Sequence, residues 1–135
     1  MTVAELNQFL ADAFDGHRPA EVTAVGEGRA TVVLPAAEMM IRPGGTVSGP
    51  TMMAMADTAA YAVILGHLGP VALAVTSNLN ITFLRKPQPV DLRAEATLLK
   101  LGRTLAMVNV LLYSDGVDDP VAQSTVTYAI PRSDP

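Results

Sequence analysis

The hydrophobic positions of this chain recur at helical spacing near its start. The apolar residues there lie three or four positions apart, on one face of a helix: Val3, Leu6, Phe9, Leu10 and Phe14. Thr2 with Glu5 three residues later is typical of a helix start, and Gly16 of a helix end. We therefore expect an amphipathic helix there, followed by two valine-rich strands, about 22–25 and 30–34, joined as a hairpin.

The longest apolar stretch covers residues 52–65 and contains one charged residue, Asp57. Gly49 and Pro50 precede it, and proline suits the first turn of a helix, so we predict a helix over about 49–65. It is apolar on nearly every face, which is typical of a helix enclosed by other structure. The preceding segment, 42–48, is too rich in glycine and proline to predict a regular element.

The second half of the chain alternates between apolar and polar residues, which predicts β-strands. In the first strand, about 71–84, the residues expected on one side are Val75, Leu79, Ile81 and Phe83. Further strands are expected over about 92–98, 104–113 and 121–130, with turns at Gly102 and 114–116. The order of elements predicts an α+β fold, in which a curved antiparallel sheet wraps around one buried helix.

The composition narrows the class of protein. A chain of 135 residues is the length of one ordinary domain, and we expect a single domain over 1–135. Half of the residues are hydrophobic and only 16% are charged, so we expect apolar surface to be buried in a homo-oligomer. A net charge of −4 without a run of lysine or arginine argues against nucleic acid as a partner. The apolar stretches are too short for a membrane span, so no membrane partner is expected.

The available side chains exclude several kinds of chemistry. The chain has no cysteine, which rules out thiol nucleophiles, disulfides and thiolate metal sites. It has no cluster of histidines and carboxylates to predict a metal site, and no Gly-x-Ser-x-Gly motif of a serine hydrolase. The first residues do not resemble a signal sequence, and with no cysteine this predicts a cytoplasmic protein.

Asp57 is the main candidate for chemistry, because it is the only formally charged residue between Arg42 and Arg85. A carboxylate in apolar surroundings is normally neutralised, paired or used in catalysis. Thr58 and Thr76 are candidate donors of hydrogen bonds to it. The competing interpretation is a structural ion pair between Asp57 and an arginine.

Four segments resemble the hotdog-fold acyl-CoA thioesterases of the PaaI type, within the 4-hydroxybenzoyl-CoA thioesterase-like superfamily. They are residues 42–50 (Arg-Pro-Gly-Gly-Thr-Val-Ser-Gly-Pro), 55–59 (Met-Ala-Asp-Thr-Ala), 79–87 (Leu-Asn-Ile-Thr-Phe-Leu-Arg-Lys-Pro) and 100–103 (Lys-Leu-Gly-Arg). The resemblance implies a hotdog fold, hydrolysis of an acyl-CoA, a dimer or tetramer, and no cofactor beyond the coenzyme A of the substrate. The chain departs from the family at three positions: Arg42 replaces an asparagine, Ser48 a histidine and Pro50 a glycine.

The resemblance assigns candidate catalytic roles. It implies that Asp57 is the general base or nucleophile and that the backbone N–H of Gly49 binds the developing oxyanion, although Gly49 also suits a tight helix entry. Ser48 is either a donor in place of the family's histidine or an ordinary helix N-cap. Thr76 matches a hydroxyl that works with the acid across a subunit interface in some relatives. Strict strand alternation would instead turn Ser77 inward, unless a bulge interrupts the strand at 76–77.

The substrate-binding candidates are polar or cationic residues beside these motifs. Arg42 is expected to pair with Asp57, to contact an acidic acyl group or to face solvent. Arg85, Lys86 and Arg103 suit the phosphates of coenzyme A, and equally suit solvated strand ends. Tyr61, one helical turn after Asp57, is expected to cap the acyl pocket.

These observations favour an acyl-CoA thioesterase that acts on a small or medium acyl group, including an aromatic one. The first alternative is a hotdog protein that binds acyl-CoA or an acyl chain without cleaving it, because the usual asparagine and histidine are replaced. The second alternative is a hotdog dehydratase or isomerase, which would need a histidine–acid pair. Both histidines, His17 and His67, lie outside every motif.

Overall fold

The computed structural model describes residues 1–13, 20–36, 41–42, 46–70 and 74–131, with the backbone alone described at 41, 42 and 46. In chain order the elements are α1 (Val3–Ala13), β1 (Glu21–Gly26), β2 (Arg29–Leu34), β3 (Ile41–Arg42), β4 (Thr46–Val47), α2 (Gly49–Leu68), β5 (Val75–Phe83), β6 (Leu92–Leu101), β7 (Leu105–Ser114) and β8 (Ala122–Ala129).

Six strands form one antiparallel sheet in the order β1-β2-β6-β7-β8-β5. The sheet packs around α2, so the predicted α+β fold with a wrapped helix is confirmed. Strands β1 and β5 are its two edges. The segment 42–48, predicted to be irregular, includes β4 and part of β3, which form a two-residue ladder of their own. This prediction was wrong at Arg42, Thr46 and Val47, where threonine and valine favour a strand conformation and Arg42 pairs with Thr46.

The core lies between α2 and the inner face of the sheet. Along β8 every second residue is buried, which assigns Ala122, Ser124, Val126 and Tyr128 to the helix side. Along β6 the same alternation buries Leu92, Ala94 and Ala96, as the sequence predicts. Alanines 56, 59, 60 and 62 of α2 are fully buried, and their small side chains let the helix lie close to the strands.

Helix α2 is one turn longer than predicted, because Gly66 continues the helix and does not end it. A Cβ atom on Gly66 would lie 2.8 Å from Cγ2 of Val25, so the glycine allows β1 to approach the helix. The helix ends at Gly69, which has a φ of 83° and whose N–H donates to the carbonyl of Leu65 at 2.8 Å. The end of α2 is therefore determined by Gly69, which has a positive φ, and not by Gly66, the first glycine after the apolar stretch.

Helix α1 is fixed to the sheet by a side chain that acts as a strand partner. The amide nitrogen of Asn7 donates to the carbonyl of Val22, and the N–H of Val22 donates to the amide oxygen of Asn7, both at 2.9 Å. The predicted helix start is confirmed, since Thr2 and Glu5 exchange hydrogen bonds between side chain and backbone. The bond from the Thr2 N–H to the Glu5 carboxylate lowers the pKa of Glu5. The predicted end at Gly16 lies outside the described residues.

Candidate active site

Asp57 lies in the middle of α2 and faces a cavity of about 330 Å³. Its side chain is half-buried, not fully enclosed as the apolar stretch suggests. The cavity is lined by Leu10, Ala13, Asp57, Thr58, Tyr61, Ala74, Val75, Thr76 and Tyr128. Four of these side chains are aliphatic and four carry hydroxyl groups, so the Asp57 carboxylate is the one anionic group among the lining residues. This cavity is the candidate active site.

Thr76 donates a hydrogen bond to the Asp57 carboxylate, with 2.5 Å between Oγ1 and Oδ1. A bulge makes this contact possible: Thr76 pairs with Tyr128, but Asn78 already pairs with Thr127, so Ser77 is the extra residue of β5. The alternation is interrupted there, and Thr76 is on the helix side. The bulge that the sequence left open is therefore present. The donor and the acid belong to the same chain, whereas the resemblance implied a contact across a subunit interface.

Ser77 does not line the cavity, although strict alternation favoured it as the inward residue. Its hydroxyl donates to the carbonyl of Thr127 at 3.3 Å, across the ladder to β8. Val75 was expected on the same side as Leu79 and Ile81, but the bulge shifts its phase, and it pairs with Ala129. Both differences come from the single inserted residue.

Tyr128 is a second donor to Asp57, and sequence reasoning missed it. Its hydroxyl lies 2.9 Å from Asp57 Oδ1 and 3.3 Å from the Asp57 carbonyl oxygen. The residue is 4% exposed, and burial raises its pKa, as does the adjacent charge of Asp57, so the hydroxyl stays protonated and donates. The available signal was the alternation of β8, which turns Tyr128 inward, where a buried phenol needs a partner.

Both donors contact the same oxygen of Asp57. Within the described part of the chain, Oδ2 accepts no hydrogen bond and Asp57 forms no ion pair. The competing interpretation, a structural pair with an arginine, therefore has no support among the described side chains. The side chain of Arg42, the proposed partner, lies outside them.

Thr58 does not contact the carboxylate, although it follows Asp57 and lines the cavity. Its hydroxyl donates to the carbonyl of Ala54 at 2.8 Å, within the same helix. Donation to the carbonyl one turn earlier is a common alternative for a helical threonine. Of the two candidate hydroxyls, only that of Thr76 reaches Asp57.

Tyr61 and Tyr128 both line the cavity. The two rings stack with centroids 5.6 Å apart and planes 15° from parallel. The ring of Phe9 packs against Tyr61 in a tilted arrangement, with 6.4 Å between the ring centroids. Burial raises the pKa of Tyr61. The expected position of Tyr61, one turn after Asp57 in the same pocket, agrees with the cavity lining.

The start of α2 carries the two other candidate catalytic residues. The hydroxyl of Ser48 accepts from the N–H of Thr51 at 3.3 Å, which makes Ser48 the N-cap of the helix. Gly49 is in contact with Phe83: a Cβ atom there would lie 3.3 Å from the ring. Gly49 and Asp57 are separated by eight positions of α2, which corresponds to about 12 Å along the axis.

The cationic candidates lie away from the cavity. Arg85 is exposed and donates to the carbonyl of Pro120 at 2.7 Å. Lys86 and Arg103 are exposed as well, and none of the three lines the cavity. The structure therefore brings Asp57, Thr76 and Tyr61 together and leaves these three cations at strand ends.

The remaining features add no further chemistry to this site. His67 is exposed, and its ring contacts the N–H of Gly28 at 3.1 Å and the carbonyl of Val63 at 3.0 Å. Among the described residues there is no group of three or more histidines and carboxylates that would hold a metal ion. In the same residues no helix is long and apolar enough to cross a membrane.

Comparison with known proteins identifies the family. Residues 44–121 match the sequence model of the Thioesterase superfamily. A provisionally assigned thioesterase from Silicibacter sp. TM1040 is 47% identical, with a TM-score of 0.91, over 97% of this chain and 92% of that chain. The phenylacetic acid degradation protein PaaI from Thermus thermophilus, solved as a mutant, is 25% identical with a TM-score of 0.73, over 87% of this chain and 98% of that chain. A provisionally assigned esterase from Thermoplasma acidophilum is 27% identical over 124 residues, 92% of each chain.

Proposed function

Because the chain belongs to the thioesterase superfamily and is a thioester hydrolase, we propose that it hydrolyses coenzyme A thioesters with Asp57 as general base or nucleophile. The observation that carries this proposal is the hydrogen bonding of the two Asp57 carboxylate oxygens. One oxygen accepts from two hydroxyl donors, and the other accepts no hydrogen bond from the described residues, at a cavity in which Asp57 is the one anionic residue. A carboxylate oriented through one oxygen can use the other for chemistry.

Two routes use this oxygen. As a base, Oδ2 takes a proton from water, the resulting hydroxide oxygen adds to the thioester carbonyl carbon, and the carbon–sulfur bond then breaks. The coenzyme A sulfur leaves as the thiol with a proton returned by Asp57. As a nucleophile, Oδ2 adds to the carbonyl carbon itself, and the carbon–sulfur bond breaks to release the coenzyme A thiolate and leave a mixed anhydride on Asp57. Water then hydrolyses the anhydride to the free acid and the Asp57 carboxylate, and the proton that is released protonates the thiolate. Both routes require the carboxylate and predict the same loss when it is replaced by an amide.

The oxyanion that forms in either route needs a donor, and the N–H of Gly49 at the start of α2 is the candidate. The separation of about 12 Å along the helix is too large for Asp57 and Gly49 of one chain to act on the same carbonyl carbon. The proposal therefore includes a second copy of the chain, which supplies Gly49 to the Asp57 of its partner.

The edge strand β5 supports this assembly. Within the described strands β5 is paired on one side only, and its end residues Val75 and Phe83 are 57% and 49% exposed, an arrangement that favours pairing with another strand. Thr76 near one end contacts Asp57, and Phe83 at the other end contacts Gly49. If two β5 strands pair antiparallel about an axis at Asn80, Leu79 of each copy lies opposite Ile81 of the other. Because Ser77 is an extra residue of the strand, Thr76 of each copy then lies opposite Phe83 of the other. This register brings Gly49 of one copy to Asp57 of the other and makes the protein at least a dimer.

The proposed acyl group is small or medium in size, aromatic groups included. A cavity of about 330 Å³ lies at the small end of ligand pockets, and its lining includes the stacked pair of Tyr61 and Tyr128. An aromatic acyl group would find an aromatic surface there. Arg85, Lys86 and Arg103 are exposed and remain candidates for the coenzyme A phosphates outside the acyl pocket.

The experiment that tests the function is release of free thiol from a panel of short, long and aromatic acyl-CoAs. The native protein is compared with Asp57→Asn, after circular dichroism has shown that both are folded. Turnover by the native protein and a loss of about 10³-fold or more in Asp57→Asn would support the proposed role of the carboxylate. Binding of acyl-CoA without turnover by the native protein would contradict it and favour the non-cleaving alternative.

A further inference from the structure

Among the polar residues that line the cavity, Tyr128 is the least exposed. Its hydrogen-bond partner is Asp57, the proposed catalytic residue. It is 4% exposed, and its hydroxyl donates to Asp57 Oδ1 at 2.9 Å. The bond joins residues separated by 71 positions, from the middle of α2 to the end of β8. A buried phenol could have been satisfied by any backbone carbonyl, and here its shorter contact is to the carboxylate.

We propose that Tyr128 is a positioning residue for Asp57, which holds the carboxylate so that Oδ2 faces the thioester. The argument rests on the proposed function of Asp57. Two donors on one oxygen fix the side chain more tightly than Thr76 alone, because they approach from different strands, β5 and β8. The carboxylate is then prevented from rotating and exchanging its two oxygens.

The rigidity of Tyr128 makes it suited to this role. Its ring is stacked on Tyr61, which belongs to the same helix as Asp57, one turn further on. Burial raises the pKa of Tyr128, so the hydroxyl is protonated over the whole range in which the enzyme would work, and it always donates. A threonine hydroxyl, in contrast, rotates to suit its surroundings. Tyr128 therefore provides the fixed donor and Thr76 the adjustable one.

The proposal is specific to the hydroxyl and not to the ring. Tyr128→Phe removes the donor and leaves the stack on Tyr61 in place. We expect kcat to fall by about 10-fold or more while KM changes less than about 3-fold, because the oriented carboxylate acts in the reaction and not in substrate binding. Tyr113→Phe is the matched control. Tyr113 is half-buried and does not line the cavity, and its ring centroid lies 4.7 Å from Cζ of Arg93. We expect native kcat in this variant.

A second background separates positioning from a structural role. In Asp57→Asn, where no carboxylate remains to be oriented, Tyr128→Phe should lower the residual rate by less than about 2-fold. A purely structural effect of Tyr128 would lower it equally in both backgrounds. All four proteins and the control are assayed for thiol release with the acyl-CoA that the native protein cleaves fastest.

The outcomes distinguish this role from the function on which it rests. Native kcat in Tyr128→Phe, together with inactive Asp57→Asn, overturns the positioning role and leaves the proposed function intact. An equal loss in both backgrounds, or a loss confined to KM, also overturns the role. No thiol release by the native protein from any acyl-CoA overturns the proposed function, and the role of Tyr128 with it.

Discussion

Thr76 and Tyr128 are direct partners across the β5–β8 ladder, and their hydroxyls donate to the same oxygen of Asp57, at 2.5 Å and 2.9 Å. The pair exists because one extra residue, Ser77, is inserted immediately after Thr76. Without the bulge, Ser77 would lie opposite Tyr128 and face the helix, and Thr76 would face the other side of the sheet. The geometry around the acid therefore depends on strand register as much as on residue type.

Thr76→Val is expected to lower kcat by about 10-fold, since valine keeps the shape of threonine and removes the donor to Asp57. The control is Thr82→Val, the same substitution in the same strand. Thr82 is exposed and pairs with Gln123, on the face of the sheet opposite the cavity. Steady-state thiol release with both variants measures the effect. Equal rates for the two variants would contradict a role of the Thr76 hydroxyl in catalysis.

Activity is expected to be restored when two inactive variants are mixed, if Gly49 and Asp57 of one site come from different copies. Asp57→Asn lacks the acid, and Gly49→Pro lacks the backbone donor while proline remains compatible with the first turn of a helix. After denaturation and joint refolding, each hybrid dimer would contain one intact site, and roughly one quarter of native activity should return. A mixture that stays inactive, although hybrid dimers are demonstrated with a tagged copy, would place both residues of a site in one chain.

Ser48 is expected to act on stability through its role as N-cap. Ser48→Ala removes the acceptor for the Thr51 N–H and should lower the free energy of unfolding by about 1 kcal/mol. Ser48→Asp keeps an acceptor and adds a negative charge at the positive end of α2, so it should be close to native stability. Urea unfolding of the three proteins measures the difference. The opposite order, with Ser48→Asp the less stable variant, would contradict a capping role.

The fold, the acid Asp57 and one candidate donor to it, Thr76, could be predicted from the sequence, whereas the second donor, Tyr128, could not. Helical spacing and alternation are local patterns, and they predict α2 and the strands of the sheet. The bulge at Ser77 has no local signal, because Thr76, Ser77 and Asn78 contain no glycine. The contact of Tyr128 with Asp57 depends on a pairing of distant segments. The helix predicted over about 49–65 is too short, because the packing of Gly66 against Val25 within a longer helix is visible only in three dimensions.

Gly66→Ala is expected to destabilise the protein although alanine favours a helix by about 1 kcal/mol over glycine. Its Cβ would lie 2.8 Å from Cγ2 of Val25, and such overpacking typically costs about 1–3 kcal/mol. Val25→Ala in the same chain removes the obstructing methyl group, so the double variant should be more stable than Gly66→Ala alone. The midpoint of thermal unfolding tests this, with Val25→Ala as the single-variant control. A Gly66→Ala protein as stable as the native one would show that β1 adjusts freely.

The protein is expected to lose stability at alkaline pH because burial raises the pKa of Tyr128 above its ordinary value of 10.0. Above a pH of about 10 the phenol ionises in the unfolded chain and stays protonated in the folded one, so protons are bound more tightly by the folded state. The stabilising contribution is complete below that pH and is lost as the pH rises further. For one such group the free energy of unfolding falls by about 1.4 kcal/mol per pH unit.

Tyr128→Phe should therefore have a shallower decline in stability above a pH of about 10 than the native protein, even if it is less stable at neutral pH. Urea unfolding at a series of pH values from neutral to alkaline gives the two slopes. The chain contains three tyrosines and no tryptophan, so the absorbance of ionised tyrosine also follows the titration, and the difference between the native protein and Tyr128→Phe gives the part that belongs to Tyr128. Tyr113→Phe provides the control for the loss of a tyrosine elsewhere in the sheet. If Tyr128→Phe declined as steeply as the native protein, ionisation of Tyr128 would not be coupled to unfolding, and its hydroxyl would not be held in a buried bond to Asp57.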